Sequence, residues 1–99
     1  MNYVPLLPRV ADGCKSAVGE CIDAYGSLIW GMAKKYSDSL AEAERLTEQI
    51  FLDLWRHAKR YDASRFSEPT FIIMLCRHRI SNKRDGRINN RLLELALRI

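Results

Sequence analysis

The sequence predicts an all-α fold, a compact three-helix bundle with room for one further short helix at its C-terminal end. Three observations lead there. Apolar residues recur in steps of three and four along stretches near 14–36, 39–61 and 69–84, the spacing of a helix face. No stretch alternates apolar and polar residues as a half-buried strand does, and no segment repeats. Five Gly and three Pro among 99 residues are too few for a loop-rich chain, and 47% hydrophobic with 28% charged residues is the balance of a folded domain, not a disordered one.

Residues 1–13 read as a lead-in segment, because Pro5 and Pro8 interrupt helix and Asp12-Gly13 reads as a turn or cap. The first long helix carries Val18, Cys21, Ile22, Tyr25, Leu28, Ile29, Met32, Ala33 and Tyr36 as one broad apolar stripe. Gly26 and Gly31 weaken it by about 1 kcal/mol each relative to Ala, and they could admit a closely packed neighbour. Ser39 and Glu42 form a capping box that opens the second helix. Its core stripe is Ala43, Leu46, Ile50, Phe51, Leu54 and Ala58, and its other face carries Glu44, Arg45, Glu48, Gln49, Asp53 and Arg56. Residues 62–69 cluster turn formers and form a loop. Pro69 suits the first turn of the third helix, with Ser67 or Glu68 as cap and Ile72, Leu75, Cys76 and Ile80 as its buried side. Asp85-Gly86 ends that helix, and Asn89 or Asn90 could cap a last one through Arg98. The domain proper is expected over 14–88, with 89–99 leading towards a further domain.

The net charge of +4 conceals a division: residues 1–55 carry −3 and residues 56–99 carry +7. A chain polarised in this way can offer an acidic surface to one partner and a basic surface, suited to nucleic acid, to another. No apolar run approaches the roughly 20 residues that span a bilayer, so membrane insertion is not expected. The N-terminus lacks the pattern of a secretory signal, which points to the cytoplasm. Three cysteines exclude a complete disulfide framework, and Cys14 and Cys21, seven positions apart, would sit about 10 Å apart along a helix. All three are expected as small buried hydrophobes. No metal-ligand spacing, acidic pair or glycine-rich phosphate loop stands out, and Cys76 and His78 point to different sides of a helix. Neither a cofactor nor catalysis is expected.

The run from Glu42 to Trp55, E-A-E-R-L-T-E-Q-I-F-L-D-L-W, resembles the signature D-A-E-D-L-x-Q-E-x-F-L-x-L-W in region 2 of sigma-70 family sigma factors, nearest to the small extracytoplasmic-function (ECF) class. Tyr25-Gly26 before an apolar run is similar to that family's first helix, and Arg60-Tyr61-Asp62 is similar to its R-F-D. The segment from Phe71 to Arg84 is similar to W-L-x-x-I-A-R-N-R-x-I-D-x-x-R. The likeness covers roughly 14–88. Departures are Arg45 in place of an acid, Glu48-Gln49 in reversed order, Phe71 for Trp, His78 for Asn and Asn82 for Asp. The chain ends before the family's second helix-turn-helix domain, so an excised domain is expected.

The resemblance implies a non-enzymatic domain that binds core RNA polymerase through the β′ clamp coiled coil and recognises and melts the promoter minus-ten element. Polymerase contact would fall to Glu42, Glu44, Arg45, Glu48, Gln49 and Asp53. Capture of the non-template strand would fall to Tyr61, Arg65 and Phe66 in and beside the loop, with His78 and Asn82 at base edges. Arg77, Arg79, Lys83, Arg84 and Arg87 would meet phosphates. An anti-sigma factor is implied as a regulator. Read from the residues alone, a helix-turn-helix regulator of duplex DNA and a helical protein-interaction adaptor also stay open. Against the former, the connection containing Pro69 is longer than a tight three- or four-residue turn.

Overall fold

The computed structural model describes residues 5–85, with side chains described through residue 81. Four α-helices follow in order: α1 (Leu7–Ala11), α2 (Lys15–Lys35), α3 (Leu40–His57), continued by a 3-10 turn (Ala58–Arg60), and α4 (Glu68–Asp85). The three long helices are those the periodicity predicts, and no strand occurs among the described residues. Gly86, Arg87 and the expected last helix lie outside them.

The lead-in segment departs from expectation, because α1 forms there. Pro8 stands in its first turn, where a missing N–H forfeits no intrahelical bond. The turn to α2 is a Schellman motif: the Gly13 N–H donates to Val10 O and the Cys14 N–H to Arg9 O, both at 3.0 Å. Gly13 sits at φ +86°, a conformation in which a side chain would be strained. Five residues cannot hold a helix alone. Leu7, fully buried, anchors α1 in the core.

In α2 the buried residues are Ala17, Cys21, Tyr25, Ile29 and Ala33, one every four positions. A four-residue step overshoots the 3.6-residue turn, so the ridge winds obliquely around the helix. Ile22, expected on the stripe, therefore turns outward and is 47% exposed. Gly26 and Gly31 admit no close neighbour either: a Cβ at either position would meet nothing within 4 Å.

Ser39 caps α3 by accepting from the Glu42 N–H at 3.1 Å. The return half of the capping box reaches one residue further back, where Glu42 Oε2 accepts from the Asp38 N–H at 2.8 Å. Ala43, Leu46, Ile50, Leu54 and Ala58 face the core as expected, and Phe51 is half-buried. Ser67 caps α4, its hydroxyl accepting from the Thr70 N–H at 3.3 Å. Phe71, Ile72, Leu75, Cys76 and Ile80 complete the core.

Glu68, in the first turn of α4, is fully buried. Its carboxylate accepts from the Leu7 N–H of α1 and, at 2.7 Å, from the Tyr25 hydroxyl of α2. Hydrogen bonds to a charged group contribute about 1.5–3 kcal/mol each. The helix N-terminus adds up to about 2 kcal/mol for a partly buried anion. Together these offset the several kcal/mol that burying a carboxylate costs. Tyr25→Phe, which removes one donor, should destabilise the chain by about 1–2 kcal/mol in urea unfolding. Ile22→Ser, on the exposed side of the same helix, should stay within about 0.5 kcal/mol. A neutral Tyr25→Phe would contradict the role given to Glu68.

Candidate functional site

The acidic candidate face lies on the N-terminal half of α3. Glu44, Arg45 and Glu48 are exposed, and Glu42 and Gln49 are half-buried. Glu42, Arg45, Leu46 and Gln49 line a depression of about 210 Å³ between them. The face is thus not flat: a partner side chain has a place to seat, rimmed by both signs of charge.

Asp53, expected on this face, is not part of it. Its exposure is 4%, and its carboxylate accepts two bonds from Arg79 of α4, from Nε at 2.7 Å and from Nη2 at 2.6 Å. The expectation fails because position 53 stands beside core residues Ile50 and Leu54, on the flank of α3 that meets α4. Arg79 is corrected with it. Two of the three guanidinium nitrogens of Arg79 are engaged by Asp53 and its side chain is 30% exposed, so these two residues form a bridge between helices rather than an open binding face.

The second candidate face begins where α3 ends. The loop holds itself: Asp62 Oδ1 accepts from the Ser64 N–H at 2.9 Å and its hydroxyl at 2.6 Å. Asp62 O accepts from the N–H groups of Arg65 and Phe66 at 3.0 and 3.1 Å. The Ser64 hydroxyl, then its N–H, holds the Asp62 carboxyl below its ordinary value. Arg65 is exposed at the tip.

Tyr61 and Phe66, the candidate base surfaces, are half-buried and pack against the core. The Tyr61 hydroxyl donates to Phe66 O at 2.9 Å, closing the loop at its base. The Tyr61 ring meets Phe71 edge-on, 5.4 Å between centroids. Burial pushes the Tyr61 phenol up. These two rings hold the loop in shape, and each keeps part of its surface exposed. Behind Tyr61, a cleft of about 320 Å³ is lined by Pro8, Ala11, Asp12, Ala58, Lys59 and Tyr61.

On α4, Arg77 is exposed and His78 half-buried. Asn82, Lys83 and Arg84 lie on the same helix with side chains beyond those described, and Arg87 lies outside the described residues. His57, at the end of α3, was not anticipated in the sequence. Burial holds its imidazole below the ordinary value of 6.5, and neighbouring Arg60, Arg56 and His78 act in the same direction, while Asp53 opposes them. The end of α3 and the turn that continues it thus hold Arg56, His57 and Arg60 close together in sequence.

Cys21 and Cys76 are buried as expected, their thiols pushed up to about 11 and about 12 by burial. Cys14 departs from expectation. It is half-exposed ahead of α2, 3.2 Å from the Ser16 hydroxyl, which more than any other group lowers its thiol, and 3.7 Å from Arg9 Nη2.

The family model described as Sigma-70 region 2 matches residues 21–87, a span that contains α3, the loop and α4. Among curated proteins, the chain is similar to the ECF RNA polymerase sigma factor SigK of Mycobacterium tuberculosis and of Mycobacterium bovis. Each is 27% identical over 74 residues, which is 75% of this chain and 40% of the relative. The chain therefore spans about 40% of the length of the curated relatives it matches. No solved structure matches it.

The depressed His57 value fixes a pH dependence. Above pH 6.5 the imidazole is neutral in both the folded and the unfolded chain. As pH falls below 6.5 the unfolded chain takes up the proton first, so stability should fall with it. An NMR titration should place the His57 midpoint below 6.5, and a midpoint above 6.5 would contradict the surroundings described.

Proposed function

Because the chain belongs to the sigma-70 region 2 family, we propose that it is the promoter-recognition domain of an ECF-class sigma factor, binding core RNA polymerase and the non-template strand of the minus-ten element. The observation that carries this reading is the separation of two unlike faces on one rigid bundle. The acidic face of α3 and the loop that precedes α4 stand at opposite ends of α3. Gln49, the last residue of the acidic face, lies eight residues, about 12 Å, before the end of α3 at His57. A partner on the first face leaves the second open.

Glu44 and Glu48, with the depression beside Arg45 and Gln49, suit a helical partner bearing Arg and Gln. Complementary charge there sets register and orientation more than bulk affinity. Glu42 contributes less, since one of its oxygens already caps α3. In this reading the β′ clamp coiled coil is the partner, and an anti-sigma factor covering the same α3 face would compete with it.

At the other end the loop acts as a lip over bases that have left the stack. Unstacking a base costs a few kcal/mol, and base–aromatic stacking returns about 1–3 kcal/mol. Capture of one base therefore roughly balances its extrusion, and the domain needs no chemistry to hold DNA open once polymerase fixes it there. Tyr61 and Phe66 offer aromatic surface, His78 and Asn82 offer hydrogen-bonding groups, and Arg65, Arg77, Lys83, Arg84 and Arg87 neutralise phosphates. Such contacts make binding fall steeply with salt. The connection from Tyr61 to Ser67 is too long for the tight turn of a duplex-reading helix-turn-helix, which disfavours the repressor reading.

Binding of the full chain to the isolated β′ clamp coiled coil tests the proposal. Glu44→Lys/Glu48→Lys should weaken it by about tenfold or more, a loss of at least 1.4 kcal/mol. No saturable binding by a chain shown to be folded, or equal binding by the double variant, would overturn the assignment of this face.

A further inference from the structure

The ion pair between Asp53 and Arg79 stands between the two faces. Asp53 lies one turn beyond Gln49, the last residue of the acidic face, and one turn before His57. Arg79 directly follows His78 on α4. The bridge is short at both points, Nε to Oδ2 at 2.7 Å and Nη2 to Oδ1 at 2.6 Å. The two helices also share the apolar core, with Ile50 and Leu54 on one helix and Ile72, Leu75 and Cys76 on the other. Apolar packing is non-directional. A planar guanidinium bonded through two nitrogens to two carboxylate oxygens is directional, because both bonds must be satisfied in one plane.

We propose that the Asp53–Arg79 bridge is a positioning element for base recognition: its two-point bond sets the rotation of α4 about its own axis against α3, and so the angle at which His78 and the turn that follows it meet a captured base. The inference rests on the sigma reading above and adds to it a pair of residues that touches neither DNA nor polymerase.

Rotation matters at this site because each residue turns a helix by about 100°, so a few degrees at Arg79 carry to its neighbours on both sides. Arg79 is well suited to the task. Its charge is constant across the physiological range, and the Asp53 carboxylate holds its pKa higher still. The pair therefore keeps its geometry where His57 changes charge. Arg79→Lys is the informative substitution: it keeps a cation beside Asp53 but loses the fork that fixes orientation.

The test uses the full chain and fork-junction duplexes with an unpaired non-template overhang, each unpaired position varied in turn through the four bases. Affinities are read below the unfolding temperature of every variant. Wild type should prefer one base at one position. Arg79→Lys and Asp53→Asn should each reduce that preference by about fivefold, a loss comparable with one misplaced base contact. Affinity for the β′ clamp coiled coil should stay within about twofold, as expected for a change that leaves the acidic face intact. If folded variants keep the wild-type preference and lose only thermal stability, the bridge is a stabilising contact and the proposal is overturned. An equal loss of coiled-coil affinity would overturn it too, by making the pair a general scaffold. If wild type itself shows no preference among the bases, the base-capture reading fails and the positioning role falls with it.

Discussion

The fold depends on one buried carboxylate. Glu68 lies where three helices meet, and its oxygens are satisfied by the backbone of α1 and the hydroxyl of α2. A charged or polar group in such a place penalises any arrangement that leaves it without donors. Apolar packing alone would allow the helices to slide, whereas Glu68 specifies which residue of α2 and which end of α1 must be present. It also fixes the start of α4, and the loop at residues 62–67 ends there. The loop's shape is thus inherited from the core on one side and from the Tyr61 clasp on the other.

A division of labour along α3 follows from the same economy of polar contacts. Its N-terminal half exposes Glu44, Arg45 and Glu48, where solvation makes charge inexpensive. Further along, Asp53 turns inward and meets a half-buried cation from α4, so that the buried charge is paired. One helix therefore carries an outer surface at one end and an internal tie at the other. The loop and the His57–His78 region sit just past that tie, and any partner docked on α3 is rigidly linked to them.

Much of this was legible in the sequence, and the exceptions share a cause. The long helices, their caps and most of the core follow from local spacing, because periodicity and capping act within a few residues. The likeness to sigma-70 region 2 was legible for the same reason, as it rests on the contiguous run from Glu42 to Trp55. The misjudged positions depend on contacts far apart in the chain. Asp53 fits an outer helical face until a cation 26 residues later claims it. Glu68 reads as a cap until Tyr25 and Leu7 enclose it. The α1 segment reads as irregular because Pro5 and Pro8 weigh against helix, and only burial of Leu7 tips the balance. Ile22 was misplaced for a subtler reason, since the four-residue step of the α2 ridge shows only once its neighbours are in position.

The central claim is that this bundle presents unpaired non-template DNA to a polymerase docked on another side of it. The most direct measurement is binding of the full chain, together with core RNA polymerase, to three DNA forms: a fork with an unpaired non-template overhang, a fork with an unpaired template overhang, and blunt duplex. The account predicts that the non-template fork is held about tenfold or more tightly than either of the others. Equal affinity for all three, or a preference for blunt duplex, would contradict it.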